Sequence, residues 1–135
     1  MNTTNHEERP TTPPTNTRLR DMFRAGTIVF AFVVAWFAFT PSTGAESGLP
    51  WDKANHAMAF LTWTVLAGCG WPRAGILRVA LVMLGLGTAV ELIQGLPAVG
   101  RDADVWDVVA DMTGFLMGWG LLALPRVRAR LGLTG

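Results

Sequence analysis

Residues 22–40 read MFRAGTIVFAFVVAWFAFT, with an unbroken apolar core, IVFAFVVAWFAF, at 28–39. The hydrocarbon core of a bilayer takes about 20 residues of helix, so this stretch is just long enough to cross one. Arg24 can snorkel at its near end, and Pro41 stops it. A cleavable secretory leader is the competing reading, because basic residues precede the run and Thr43, Gly44 and Ala45 offer the small residues of a cleavage site. The bulk of Trp36, Phe37 and Phe39 fits a retained helix better. Three more apolar stretches follow. One covers residues 54–71 and closes at Trp71-Pro72-Arg73; the next covers 74–96 and ends at Pro97; the last covers 105–124 and ends at Pro125. The expected fold is an all-α integral membrane protein, a bundle of four transmembrane helices.

The rest of the 135 residues agrees with that frame. Half the chain is hydrophobic and only 16% is charged, too little polar surface to cover four buried helices in water. Residues 1–21 hold three Pro and six Thr with almost nothing to bury, and a disordered polar tail is expected there. Residues 125–135 form a basic C-terminal tail. Eleven basic residues against ten acidic leave no field for nucleic acid. The single cysteine, Cys69, excludes an internal disulfide framework and a cysteine-built zinc site.

Orientation follows from the arginines. Arg9, Arg18, Arg20 and Arg24 precede the first stretch, Arg73 and Arg78 flank the second turn, and Arg126, Arg128 and Arg130 follow the fourth. With four spans these nine share one side, and Lys53 and Arg101 are left on the other. The positive-inside rule then places both termini in the cytoplasm.

The acids gather at the opposite, outer level. Glu46 and Asp52 fall in the first outer loop, Asp102 and Asp104 in the second, and Asp107 and Asp111 in the first two turns of the last stretch. Glu91 interrupts an otherwise apolar run near the outer end of the third stretch, with Gln94 three residues on. Asp52 and His56 are four apart, on one helix face. Asp104, Asp107, Asp111, Gly114 and Gly118 make one narrow stripe, acidic in its outer half and glycine in its inner half. The Gly114–Gly118 pair lets another helix approach closely, so the acids above it should face protein too. A charged group at mid-membrane costs roughly 2.5–3.5 kcal/mol on insertion scales, and such groups normally face one another or a wet cavity. Asp52 and Asp104 also suit helix N-caps, and Lys53 and Arg101 suit interface anchors.

Three motifs carry a resemblance: DKANHAMAF at 52–60, ELIQ at 91–94 and GRDADVWDVVADMTGFLMG at 100–118. In this order they resemble the VanZ family of small bacterial membrane proteins, over about residues 25–124. The family pattern is met at Asp52, Lys53, His56, Phe60, Glu91, Gln94, Arg101, Asp107, Gly114 and Gly118. Many members have Asn where Asp111 stands and Ser where Asp102 stands. The resemblance implies a multi-pass protein of the bacterial cytoplasmic membrane. It also implies a link to resistance against glycopeptide antibiotics such as teicoplanin.

Two function classes stay open on these residues. In the first, Asp52, Lys53, His56, Glu91, Gln94, Arg101, Asp107 and Asp111 line an outer pocket that binds a membrane lipid, a cell-envelope precursor or a glycopeptide. In the second, His56, Glu91, Asp107 and Asp111 hold a divalent cation in an enzyme acting on a lipid-linked phosphate, with Lys53 and Arg101 steering the substrate. Carboxylates with one imidazole can ligate Mn, Zn or Mg. A proton-coupled carrier ranks below both, because no inverted repeat is visible.

Overall fold

The computed structural model describes residues 15–40, 50–100, 103–131 and 133. Four long helices, α1 (Thr15–Phe39), α2 (Pro50–Gly70), α3 (Ile76–Gln94) and α4 (Val105–Ala123), are followed by a short α5 (Pro125–Arg130). No strand occurs among the described residues. The helix starts follow local chemistry. Pro50 and Pro125 open α2 and α5, where a missing N–H is harmless. Asp104 caps α4 by accepting the Trp106 backbone N–H.

The first helix begins earlier than its apolar run. Residues 15–21, expected in a disordered tail, are helical, and the remainder of that expected tail lies outside the described residues. The apolar run supplies the packed turns needed to nucleate a helix, and adding turns to an existing helix needs far less. An Asp21–Arg24 pair at 3.0 Å supports the added turns.

Neighbouring helices run in alternate directions. Arg24, near the start of α1, donates from Nε to the carbonyl of Gly70 at the end of α2 (3.0 Å) and lies over the Trp71 ring. It thereby satisfies one of the carbonyls a helix C-terminus leaves open. α2 and α4 run parallel and form the tightest pair. A Cβ on Gly114 would strike the backbone of Ala57, and one on Gly118 would come within 2.8 Å of the Leu61 carbonyl. Side chains are therefore excluded from this seam, and the glycine stripe faces protein. Below it Phe60, Trp63, Val79, Met83 and Phe115 form the core, with Trp63 edge-on to both Phe30 and Phe60.

Three helical stretches are long and apolar enough to cross a membrane: Thr17–Phe39, Ile76–Gln94 and Val105–Ala123. The second helix is not among them, because Asp52, Lys53, Asn55 and His56 occupy its first two turns. It is also wrapped by its neighbours and has less outer surface. The outward faces are strongly apolar, with Phe32, Trp36 and Phe37 on α1, Leu77 and Leu81 on α3, and Val105 and Leu116 on α4 all exposed. Thr27, Thr40, Thr62, Thr88 and Thr113 each donate their hydroxyl to the carbonyl four residues earlier, so these polar groups are paired within their own helices.

Candidate functional site

The polar residues of three helices meet at one end of the bundle, where α2 and α4 begin and α3 ends. Lys53 donates to Asp104 Oδ2 at 2.6 Å and to Asp107 Oδ1 at 2.9 Å. This clamp ties the start of α2 to the start of α4. The paired carboxylates push the Lys53 ammonium above its ordinary range, and the ammonium, helped by the Trp106 N–H, holds Asp104 below its own.

His56 lies one turn deeper. Its Nδ1 is 3.0 Å from Asp111 Oδ1, and its Nε2 is 4.0 Å from Asp107 Oδ2. Where Asp111 is ionised it can only accept, and Nδ1 then carries the proton while Nε2 faces Asp107. Asp111 is fully buried, and its second oxygen, Oδ2, has no hydrogen-bond partner. That oxygen packs where a side chain of residue 87 would otherwise be: a Cβ on Gly87 would lie 2.6 Å from it. Glu91 is 5% exposed. Its Oε2 accepts the Asp104 backbone N–H at 2.9 Å, joining the end of α3 to the start of α4, while its Oε1 is buried without a partner.

Among the described residues, one set of donor atoms lies close enough to share a cation. Ligand atoms of Asp52, His56 and Asp107 all fall within 4.8 Å of one another. This differs from the expected set. Glu91 and Asp111 stand outside it, because the first is bound to the α4 backbone and the second to the back of the His56 ring. Asp52 takes their place, being one helical turn before His56 on the same face.

A cavity of about 490 Å³ opens beside this cluster, between α1, α2 and α3. Its walls include Phe30, Val34, Phe37, Ala59 and Val90, and its polar end is Asp52, Asn55, His56 and Gln94. Asp52, His56 and Gln94 thus face the cavity, while Lys53, Asp104, Asp107 and Glu91 knit the helices behind it. Arg101, together with Asp102 and Glu46, lies outside the described residues.

Two contributors escaped the sequence reading. Gly87 makes room for Asp111, and its signal was present: Val79, Met83, Gly87, Glu91 and Gln94 form the buried face of α3 at helical spacing. The α1 wall of the cavity had no such signal, because residues 28–39 of that helix are apolar on every side. Comparison of the chain with known protein families, curated proteins and solved structures finds no match.

Proposed function

We propose that this chain is a VanZ-like protein of the bacterial cytoplasmic membrane, crossing it four times with both termini inside. In this reading the cavity between α1, α2 and α3 binds an amphiphile of the cell envelope from the outer side. The observation that carries the reading is the build of that cavity, which has apolar walls on three helices and Asp52, Asn55, His56 and Gln94 at one end. Small-molecule pockets are lined mainly by apolar side chains with a few placed polar groups, and range over about 300–1,000 Å³. An acyl or isoprenyl chain fits the walls, and its head group fits the polar end. A glycopeptide could insert only an apolar tail, so a lipid or lipid-linked precursor is the favoured occupant. The exposed apolar faces and the internally paired threonines support immersion in lipid.

Mass spectrometry of lipids retained by detergent-purified protein tests this. Val33 lines the cavity, whereas the exposed Val29 one turn away does not. Val33→Trp should expel a lipid that wild type and Val29→Trp both retain. Equal retention by the two variants, or no retained lipid in wild type, sinks the reading. Turnover of the retained lipid on incubation would convert the binding reading into the enzymatic one.

A further inference from the structure

We propose that Asp52, His56 and Asp107 bind a divalent cation at the polar end of the cavity, and that this cation receives the phosphate oxygens of the bound amphiphile. The phosphate half of this statement rests on the binding reading above; the cation half does not. Donors around a metal with bonds of about 2.2 Å lie no more than about 4.4 Å apart. His56 Nε2 and Asp107 Oδ2, at 4.0 Å, lie inside that limit, and no pair in the set is more than 4.8 Å apart.

The surroundings of the three donors fit the same role. A ligating histidine commonly donates its other ring N–H to a carboxylate, which fixes its tautomer and aims its free nitrogen. Asp111, wholly buried, holds His56 Nδ1 in that way. Asp107 divides its oxygens, with Oδ1 on Lys53 and Oδ2 toward His56. Glu91 adds another buried carboxylate at the same end of the bundle. It is 5% exposed, its Oε1 has no hydrogen-bond partner, and it lies near enough to His56, Asp107 and Asp111 to interact electrostatically with all three. A buried carboxylate oxygen without a partner is costly unless a cation or proton compensates it.

The ligand class follows from charge. Asp52 and His56 belong both to the donor set and to the cavity lining. Three protein donors leave coordination positions open, and these would face the cavity. Without a cation, a phosphate entering there would meet the carboxylate of Asp52. With one, a hard anionic oxygen is the natural fourth ligand, and one imidazole with two carboxylates suits Mn²⁺ or Zn²⁺.

The test is Mn²⁺ titration of the purified full-length protein, followed by loss of the free-ion electron paramagnetic resonance signal. Wild type should bind one Mn²⁺ per chain. Asp52→Asn, at a half-buried position in the first turn of α2, should weaken binding more than about tenfold with the helical content unchanged. Asp111→Ala, which removes the acceptor for His56 Nδ1, should weaken it about 10- to 100-fold by releasing the ring. Asp21→Asn, an exposed carboxylate elsewhere, should leave it as in wild type. No saturable binding by folded wild type, or unchanged binding in Asp52→Asn, overturns the cation site. For the phosphate, Mn²⁺-loaded wild type should retain phosphatidic acid over phosphatidylcholine, and EDTA should release it. Retention insensitive to EDTA overturns the bridging role while the cavity reading stands. Mn²⁺ binding with no lipid retained leaves the cation site and removes the cavity reading.

Discussion

Glu91 has two oxygens in different circumstances, one held by the α4 backbone and one with no partner. Glu91→Gln keeps the acceptor for the Asp104 N–H and removes the charge, so the bundle should still fold while lipid retention falls. If Glu91 and Asp107 serve one site, Asp107→Asn should add little to that loss. Simple addition of the two effects, measured by the same lipid assay, would show that they act separately. The Lys53 clamp makes a second prediction, and its sign follows from Asp104. The folded-state pKa of Asp104 is depressed below its ordinary 3.8, so its contribution to stability is present above that value and lost as the pH falls through the folded pKa. Lys53 is shifted upward from 10.5, and its contribution holds at every pH below that. Wild type should therefore melt above Lys53→Met at neutral pH, and the gap should narrow once the pH drops below 3.8. A gap that persists unchanged into strong acid would remove the clamp from the account of stability.

Among the helices, α2 and α4 are held together by what two glycines lack. Gly114→Ala puts a methyl group into the Ala57 backbone, which cannot swing aside as a side chain can. Overpacking of this kind costs about 1–3 kcal/mol. Gly120 lies on the same helix with open space around it, and Gly120→Ala should be neutral or stabilising by about 0.5–1 kcal/mol through helix propensity. Thermal unfolding in one detergent compares the two directly. Equal melting temperatures would dissolve the close-approach argument. Gly118→Leu and Leu116→Ala extend the same contrast, since Leu116 is exposed off the seam and Gly118 meets Leu61 and Thr64. The stripe from Asp104 to Gly118 was legible from spacing alone, because a helix repeats its faces at three and four residues whatever it packs against. Which helix it would meet was not legible, since small residues favour any close neighbour equally.

For the whole molecule, the proposed orientation is checked at two exposed turns. Ala103 lies just before α4 and Gly75 just before α3. An impermeant thiol reagent on intact cells should label Ala103→Cys and spare Gly75→Cys, and the native thiol of Cys69 is buried and adds little background. The reverse pattern would invert the protein in the membrane, and labelling of both would mean an odd number of crossings between them is absent.

Periodicity and composition by themselves determined the four long helical stretches in outline, the stop before Pro125, the glycine seam, and the end of its own helix at which each of His56, Glu91, Asp107 and Asp111 sits; α3 itself stops at Gln94, ahead of Pro97. Each of these depends on spacing along a single helix. Tertiary structure alone decided the partners. Lys53 became a clamp on Asp104 and Asp107 instead of an isolated anchor, Glu91 was drawn onto the α4 backbone, and Asp52 joined His56 and Asp107 as a close donor set. The cavity also belongs to this level, because residues 28–39 of α1 are apolar all round and offer no pattern to say which face would line it. Pairings across helices depend on how far each axis slides and turns against its neighbour, and a shift of one residue (about 1.5 Å) along a helix is enough to exchange one carboxylate's partner for another's.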